Sequence, residues 1–340
     1  MIDINIKWVL ENGQKMKASD IHILPDEYLV YRVNGSLQIT ERFINGVEIV
    51  QMAKELLSEN GLEQLHGKKE HDFAYEDNAH NRYRMNFHFI NGKIGISIRI
   101  LQNEMPIIEL LDLPSGIYNL LENKNGLIII SGATGSGKTT TLSAIIDYLN
   151  KNKDLNIITI EDPVEYVFKS QKSIIRQREI GKDTDNFQNA LRSALRQDPD
   201  VIMLGEMRDL ESIEMAITIA ETGHLVLGTL HTIGAVESID RIIDVFPKEK
   251  QSQIRTQLSN VLRGVLNQQL VKSAEGNLVG AYELMINNQA IKNHILSGKS
   301  NQIYSIMESS SKLGMITMKK AIEKLFVKNI ISKEIFEKLI

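Results

Sequence analysis

The pattern of apolar and polar positions predicts a mixed α/β domain in the first hundred residues. Apolar residues recur at helical spacing over Ile4–Lys15, and short alternating runs further along predict strands. These runs are Asp20–Leu24, Tyr28–Val33, Arg82–Phe89 and Lys93–Ile100. Asn34-Gly35 and Asn91-Gly92 favour hairpin turns, and a second helical pattern covers Val47–Ser58. The pattern therefore predicts a small α+β domain with a mainly antiparallel sheet.

From Gly126 onward the pattern changes to apolar runs of four to six residues that alternate with helical segments. The runs are Leu127–Ile130, Ile157–Ile160, Val201–Leu204 and Leu225–Thr229. Such runs are typical of central strands in a parallel α/β sheet that has helices on both faces. After Asp240 the sequence predicts helices to the end, apart from a candidate hairpin near Leu278–Glu283.

The segment 102–114 separates these two parts. It contains two of the six prolines and has no regular period, so it is predicted to be a linker. A chain of 340 residues is also long enough for about two domains. We therefore predict an N-terminal domain over residues 1–101 and a second domain over residues 115–340.

Composition excludes several classes of function. The chain has no cysteine, which excludes disulfides, cysteine-bound zinc, iron–sulfur clusters and thiol nucleophiles. A net charge of −4 provides no overall basic field for nucleic acid or anionic lipid. The N-terminus lacks the apolar core of a signal peptide, and no apolar run approaches the ~20 residues that span a bilayer. We therefore expect a cytoplasmic protein that binds no nucleic acid and associates with the membrane only peripherally.

A glycine-rich segment with a lysine follows the apolar run Leu127–Ile130. The letters SGATGSGKTT, which begin at Ser131, contain the Walker A pattern G-x-x-x-x-G-K-[ST] between a predicted strand and a predicted helix. In such a loop, backbone N–H groups surround phosphate oxygens, Lys138 supplies a positive charge and the Thr139 hydroxyl binds Mg²⁺. The predicted nucleotide contacts are Gly132, Ala133, Thr134, Gly135, Ser136, Gly137, Lys138, Thr139 and Thr140.

Two other strand ends carry the carboxylates that a P-loop enzyme needs. One carboxylate holds Mg²⁺ through water, and another group orients the attacking water. The run Val201–Leu204 leads into Gly205-Glu206, so the carboxylate comes one residue after the position that directly follows the strand. The run Ile157–Ile160 leads into EDPVE, which places three carboxylates within residues 161–165. Beside a P-loop, this acidic cluster is expected to be catalytic.

Asp209 and two histidines lie near the same predicted strands. Asp209 precedes a helical pattern that runs to Thr222, so we expect its carboxylate to complement the helix N-terminus. His224 and His231 are seven residues apart on either side of a strand, so their side chains point to opposite faces and a shared metal site is unfavourable. His231 follows the end of that strand, where α/β sheets bind ligands, and its imidazole can contact a γ-phosphate.

Four sequence blocks occur in the order found in one known family. They are the Walker A loop, EDPVEYVF from Glu161, DPDVIMLGEMRD from Asp198 and ETGHLVLGTLHT from Glu221. Together they resemble the Walker A, Asp box, Walker B and His box of the secretion and type IV pilus ATPase superfamily. The letters ASDIHI from Ala18 resemble the signature of its PAS-like domain. The resemblance implies a small PAS-like α+β domain followed by a RecA-like P-loop domain with a helical C-terminal part.

Within that superfamily the chain resembles the PilT-type retraction ATPases. The segments that carry this resemblance are Ile239–Pro247, Ala290–Lys299 and SKLGMITMKKAI from Ser311. Extension and secretion ATPases usually carry an additional N-terminal domain and a four-cysteine zinc module, for which this chain has neither the length nor the cysteines. Lys292 replaces an arginine common in the family, and a lysine lacks the planar fork of a guanidinium. Ala133 replaces a proline of the P-loop, with little effect expected.

The resemblance also implies roles for individual residues. Mg²⁺ would be held by Thr139 and, through water, by Glu206. Glu161 is favoured as the group that activates water, although the sequence leaves the choice between Glu161 and Glu206 open. His231 would sense the γ-phosphate of ATP. The remaining predicted nucleotide contacts are Arg84, Arg99, Glu165 and His224.

The activity that the resemblance implies is ATP hydrolysis coupled to mechanical work. The motor would be a homohexamer that retracts a type IV pilus through an inner-membrane platform protein, with a paralogous pilus ATPase as a further partner. One alternative is an ATPase of the same architecture that drives pilus assembly or secretion. A second alternative is a nucleotide-binding regulatory paralogue with weak hydrolysis.

Overall fold

The fold is described from a computed structural model, which describes residues 5–101 and 104–340. Contacts between residues divide the chain into two units. The first comprises Met1–Glu104 with Pro163–Val167, and the second comprises Met105–Asp162 with Phe168–Ile340. Ile4, predicted to begin the first helix, and residues 102 and 103 of the predicted linker lie outside the described residues.

The described part of the first unit contains a six-stranded antiparallel sheet and three helices. The strands are β1 (Asp20–Ile23), β2 (Glu27–Val33), β3 (Ser36–Ile44), β4 (Glu70–Glu76), β5 (Arg82–Ile90) and β6 (Lys93–Ile100). The helices are α1 (Ile6–Lys15), α2 (Gly46–Leu56) and α3 (Glu59–Lys68). The strand order is β3-β2-β1-β6-β5-β4, and the core comprises one face of this sheet and the apolar sides of the helices. The predicted α+β domain is confirmed.

Three elements of the first unit are missing from the sequence prediction, namely β3, β4 and α3. The side chains of β3 are mostly exposed because it is an edge strand, so its sequence carries little alternation of apolar and polar residues. The two predicted hairpin turns are confirmed, since both residues of Asn34-Gly35 and of Asn91-Gly92 have positive φ.

The described part of the second unit contains a seven-stranded sheet with helices on both faces. The strands are β7 (Gly126–Ser131), β8 (Asn156–Glu161), β9 (Ile174–Glu179), β10 (Val201–Leu204), β11 (Leu225–Leu230), β12 (Leu262–Lys272) and β13 (Leu278–Ile286). The order is β13-β12-β7-β11-β10-β8-β9, and only the pair β12–β13 is antiparallel among these described strands. The four predicted central strands are confirmed as β7, β8, β10 and β11.

Helices precede β7, occupy four of the connections between the described strands and form the C-terminal part. They are α4 (Gly116–Leu121), α5 (Lys138–Asn152), α6 (Phe187–Ala194), α7 (Leu210–Glu221), α8 (Ala235–Asp244), α9 (Lys248–Val261), α10 (Gln289–Ser297), α11 (Ile303–Ser309), α12 (Met318–Val327) and α13 (Lys333–Leu339). Helices α4 and α5 pack on one face of the sheet, and α6 to α11 pack on the other. Because strands β7 to β12 run parallel to one another, their carboxyl ends lie at one edge of the sheet, where ligands bind in such sheets.

The prediction that the chain is helical after Asp240 is wrong for residues 262–272, which form strand β12. The candidate hairpin near Leu278–Glu283 is confirmed, since β13 pairs antiparallel with β12. The two strands extend the central sheet beyond β7. The polar pair Asn267-Gln268 interrupts the apolar run of β12, although both side chains are buried. The predicted linker also differs, since its residues from Met105 onward belong to the second unit and Ile108 is buried in a 3-10 helix. No helix among the described residues is long and apolar enough to cross a membrane.

Candidate nucleotide-binding site

The P-loop connects the end of β7 to the start of α5. Three of its glycines have positive φ, namely Gly132 (150°), Gly135 (78°) and Gly137 (85°). A Cβ on Gly132 would lie 2.3 Å from the carbonyl oxygen of Gln268, so only glycine fits there. Gly137 precedes α5 and has no side chain to cap it, which leaves the first N–H groups of the helix to bind an anion.

Lys138 places its ammonium group inside this loop. Its Nζ donates hydrogen bonds to the carbonyl oxygens of Gly132 (2.8 Å) and Ala133 (2.9 Å). Burial lowers the pKa of Lys138, and the charge of Glu206 acts in the opposite direction. A phosphate group would supply a further negative charge to this buried ammonium, as the Walker A interpretation requires.

Ser136 also fits a phosphate group in the loop. Its residue is 5% exposed, and within the described part of the chain its Oγ has no hydrogen-bond partner. A buried hydroxyl without a partner costs free energy, and a phosphate oxygen can accept its hydrogen bond. The backbone of Ser136 is fixed from the neighbouring strand, because Gln268 Nε2 donates to its carbonyl oxygen at 2.6 Å.

Glu206 and His231 meet beside the P-loop. They follow the adjacent parallel strands β10 and β11, and His231 Nε2 lies 3.4 Å from Glu206 Oε2. The other ring nitrogen, Nδ1, lies 3.5 Å from Lys138 Nζ and 3.4 Å from Thr134 Oγ1. The structure thus brings together a cation, a carboxylate and an imidazole that the sequence placed on three separate segments.

Glu161 ends strand β8, which neighbours β10, and its side chain is buried. Its Oε1 accepts hydrogen bonds from Thr159 Oγ1 (2.6 Å) and from Gln177 Nε2 (3.0 Å). Both contacts fix the orientation of the carboxylate. Glu161 therefore lies at the same sheet edge as Glu206, as expected for the carboxyl ends of neighbouring parallel strands.

The structure does not bring His224, a predicted nucleotide contact, to the P-loop of the same chain. This histidine precedes β11, whereas His231 follows it, and the carbonyl oxygen of His224 accepts from the N–H of Gly126 at the start of β7. The P-loop follows the opposite end of β7, so His224 is separated from it by the length of a strand. Its ring bonds locally, to Thr222 Oγ1 and to the carbonyl oxygen of Ile219.

Asp209 caps a helix, as predicted. It is the N-cap of α7, and its Oδ1 accepts a hydrogen bond from the N–H of Ser212 at 2.7 Å. The cap fixes the start of the helix that follows Glu206.

Arg84 and Arg99 lie opposite each other on β5 and β6 of the first unit. Arg99 Nε lies 3.0 Å from Asp20 Oδ1, and Arg84 Nε lies 4.0 Å from Asp72 Oδ1. The two arginines and two aspartates line a shallow cavity of about 280 Å³ on that sheet. Glu165 belongs to the segment Pro163–Val167, which is grouped with the same unit. Their contact with nucleotide remains a prediction.

Two amide side chains behind the P-loop were not predicted. Gln268 supports the loop as described, and Asn267 Nδ2 donates to Ser131 Oγ at 2.9 Å and to the carbonyl oxygen of Thr232 at 3.1 Å. The available signal was the polar pair within an otherwise apolar run, but the run was assigned to a helix. Among residues 5–101 and 104–340 no cluster of three or more His, Asp or Glu side chains could hold a metal ion.

Comparison with known proteins gives the family. The model of the type II/IV secretion system protein family matches residues 1–333, which is nearly the whole chain. The chain belongs to this family. It is 39% identical over 332 residues to the type IV pilus retractation ATPase PilT of Pseudomonas aeruginosa, covering 97% of this chain and 96% of that protein. It is 40% identical over 306 residues to a twitching motility protein of Neisseria gonorrhoeae, covering 89% of this chain and 82% of that protein.

The fold of this family member also matches a solved structure. A crystal structure of the pilus retraction motor PilT with bound ADP aligns with a TM-score of 0.91 and 40% identity, over 98% of this chain and 96% of that chain. The predicted PilT-type resemblance and the predicted two-part α/β fold are therefore confirmed. Members of this group are ATP-hydrolysing enzymes, and the P-loop residues described above stay the predicted nucleotide contacts of this chain.

Proposed function

We propose that this chain hydrolyses ATP to power retraction of a type IV pilus. The observation that carries the proposal is the convergence of Lys138, Glu206 and His231 at the P-loop, in a chain similar over nearly its whole length to a pilus retraction ATPase. The P-loop amides and Lys138 would bind the phosphates of ATP, and the carboxylates of Glu206 and Glu161 lie at the carboxyl ends of β10 and β8 in the same sheet.

The residues that would carry out hydrolysis have separate tasks. The Thr139 hydroxyl and, through water, the Glu206 carboxylate would hold Mg²⁺, whose charge stabilises the negative charge that develops on the phosphates. Glu161 would orient and deprotonate the attacking water, because its buried carboxylate is held in one orientation by Thr159 and Gln177. The carboxylate would receive the proton of that water.

His231 would report whether the γ-phosphate is present. Its ring lies between Glu206 and Lys138, so a phosphate group bound at Lys138 would be within reach of the imidazole. A hydrogen bond from the ring to the γ-phosphate forms with ATP and is lost with ADP. This differential contact is what a nucleotide needs in order to shift a conformational equilibrium.

Force generation would use the first unit and several copies of the chain. On the basis of the family resemblance, Arg84 and Arg99 would contact phosphates when the two domains of a subunit close, inside a homohexameric ring. The ring would act on a platform protein of the inner membrane, at the cytoplasmic face of the cell membrane. A paralogous ATPase is a further candidate partner.

The test compares steady-state ATPase activity, oligomer size by light scattering and binding of AMP-PNP for wild type and Glu206→Gln. The variant should retain binding and assembly while kcat falls about a hundredfold or more, because the P-loop contacts to phosphate remain whereas Mg²⁺ loses the negative charge of the carboxylate that holds it through water. The matched control is Glu211→Gln, an exposed carboxylate in the first turn of α7. Equal turnover in wild type and Glu206→Gln would favour the regulatory paralogue.

The direction of the motor needs an experiment in cells. Deletion of a retraction motor should leave cells with excess pili that do not retract, whereas deletion of an assembly or secretion ATPase should remove fibres or secretion. Complementation with wild type should reverse the defect, and complementation with Glu206→Gln should not. Loss of fibres on deletion would overturn the retraction assignment while leaving the ATPase assignment intact.

A further inference from the structure

A row of buried polar side chains crosses three neighbouring strands behind the P-loop. Ser131 at the end of β7 is paired with Asn267 on β12, and Asn267 is paired with Glu283 on β13. All three residues are at most 3% exposed. Burying polar and charged groups costs free energy unless they are hydrogen-bonded, so their partners indicate what the row is for.

Asn267 connects the P-loop to the backbone beside His231. Its Nδ2 donates both to Ser131 Oγ, one residue before Gly132, and to the carbonyl oxygen of Thr232, one residue after His231. The amide therefore fixes one end of the segment that follows β11.

Glu283 fixes the other end of that segment and a second helix as well. Its Oε1 accepts from the N–H of Ala235, the first residue of α8, at 2.7 Å. Its Oε2 accepts from the N–H of Met318, the first residue of α12, at 3.0 Å. The residue before α8 is Gly234, which has no side chain to cap the helix, so Glu283 supplies the acceptor from another strand.

The turn between these two anchors has little freedom. Thr232 Oγ1 lies 2.6 Å from Ser238 Oγ, and Ser238 Oγ donates to the carbonyl oxygen of Gly234 at 2.8 Å. Gly234 has a φ of 119°, and a Cβ there would lie 1.8 Å from Glu237 Oε2. Residues 231–235 thus form a short turn that is fixed to the sheet by Asn267 and Glu283.

We infer that Glu283 is a positioning residue for His231, because it holds the end of the turn that presents the imidazole to the P-loop. The inference rests on the proposed role of His231 as the sensor of the γ-phosphate. Since the other carboxylate oxygen binds the start of α12, the same residue links the position of this C-terminal helix to the nucleotide site. A displacement of α12 would be transmitted through one carboxylate to the turn that carries His231.

The test measures how strongly each variant prefers AMP-PNP to ADP in the presence of Mg²⁺, as the ratio of the two dissociation constants. His231→Ala should reduce this preference. Glu283→Gln should reduce it by about fivefold or more, because the amide offers only one acceptor oxygen and places an NH₂ group against an N–H. The double variant should equal His231→Ala alone, since Glu283 acts through His231. Ser58→Ala is the control: its Oγ caps α3 of the first unit by accepting from the N–H of Gly61 at 3.2 Å, so the variant removes a helix cap away from α8 and α12 and the preference should not change.

Each departure from these results has a defined meaning. Effects of Glu283→Gln and His231→Ala that add in the double variant would overturn the inference, as would an unchanged preference in Glu283→Gln. An unchanged preference in His231→Ala would instead overturn the proposed sensor role on which the inference rests. If Glu283→Gln does not fold, Ala235→Pro replaces it, because proline is tolerated at the first helical position and lacks the N–H that Glu283 Oε1 accepts from. Its preference should fall as in Glu283→Gln.

Discussion

Gly132 in the P-loop occupies a position that has no room for a side chain. An added Cβ would meet the backbone carbonyl oxygen of Gln268, which cannot move without shifting β12. We expect Gly132→Ala to weaken nucleotide binding at least about tenfold, because the loop must open at the position where its N–H groups converge on phosphate.

The measurement is a fluorescence titration with a labelled ADP, together with a thermal unfolding scan. The control is Gly67→Ala in α3 of the first unit, where an added Cβ has no atom within 4 Å and the helix interior favours alanine. Normal affinity in Gly132→Ala would show that the loop binds phosphate in a different backbone conformation.

The sequence predicted residues whose chemistry depends on local spacing, and missed those whose partners are distant. The Walker A residues are contiguous, His231 directly follows an apolar strand and Glu206 follows another with only Gly205 between, so their position at one sheet edge could be predicted. Gln268 lies 132 positions after its partner Ser136, and no local pattern indicates such a pair. His224 was assigned to the site from a motif match, but it stands at the opposite end of β11.

At the scale of an element, the turn between β4 and β5 depends on one carboxylate. Asp77 accepts hydrogen bonds from the N–H groups of Ala79 and Asn81, from Asn81 Nδ2 and from the Tyr83 hydroxyl. Burial alone would raise the pKa of Asp77, but these hydrogen bonds outweigh it and the pKa is lowered. The ionised form therefore stabilises the folded turn.

This pKa shift predicts how the stability of the hairpin depends on pH. Because the folded-state pKa lies below the unfolded value of about 3.9, the stabilisation is complete above that value and is lost as the pH falls through the folded pKa. Asp77→Asn should thus lower the free energy of unfolding at pH 7, and the difference from wild type should shrink toward pH 3. Urea titrations across this range measure it, with Glu63→Gln on the exposed side of α3 as control. A difference independent of pH would mean that the charge is not involved.

Four strands that are buried on both faces were predicted from the sequence, whereas several strands at sheet edges were not. Strands β7, β8, β10 and β11 are central and buried on both faces, so each is a continuous apolar run. Strands β3 and β9 lie at sheet edges, where exposed polar residues replace that pattern. In β12, buried amide side chains that support the P-loop stand where apolar residues would otherwise be expected. They interrupt the continuous apolar run by which a central strand is predicted.

At the scale of the whole molecule, the change from alternating to continuous apolar runs predicted two structural parts of different type. The sequence did not predict that Pro163–Val167, within the second part, would be grouped with the first. That segment contains Glu165 and begins two residues after the catalytic candidate Glu161. Its contacts are made with residues distant along the chain, so neither periodicity nor composition reports them.

Arg84 and Arg99 of the first unit are expected to contribute to ATP hydrolysis only in the assembled ring. Asp20 lies between two arginines on one face of the sheet, since Arg99 Nε is 3.0 Å and Arg32 Nε is 3.9 Å from its carboxylate. Of these two arginines, Arg99 alone is a predicted phosphate contact, so Arg32→Ala is a control that removes a similar charge from the same surface. Arg99→Ala should lower kcat at least about a hundredfold, as expected when an arginine stops neutralising charge on the transferred phosphate.

Nucleotide binding and ring size distinguish a role of Arg99 in the reaction from a loss of folding or assembly. The P-loop belongs to the second unit, so Arg99→Ala should bind AMP-PNP within about threefold of wild type and should form rings of the same size by light scattering. Turnover in wild type should increase with protein concentration as rings assemble, and Arg99→Ala should show no such increase. If Arg99→Ala hydrolyses ATP as fast as Arg32→Ala and wild type at every concentration, Arg99 has no part in the reaction, and Asp20 and Arg99 form only a surface ion pair of the kind that contributes little to stability.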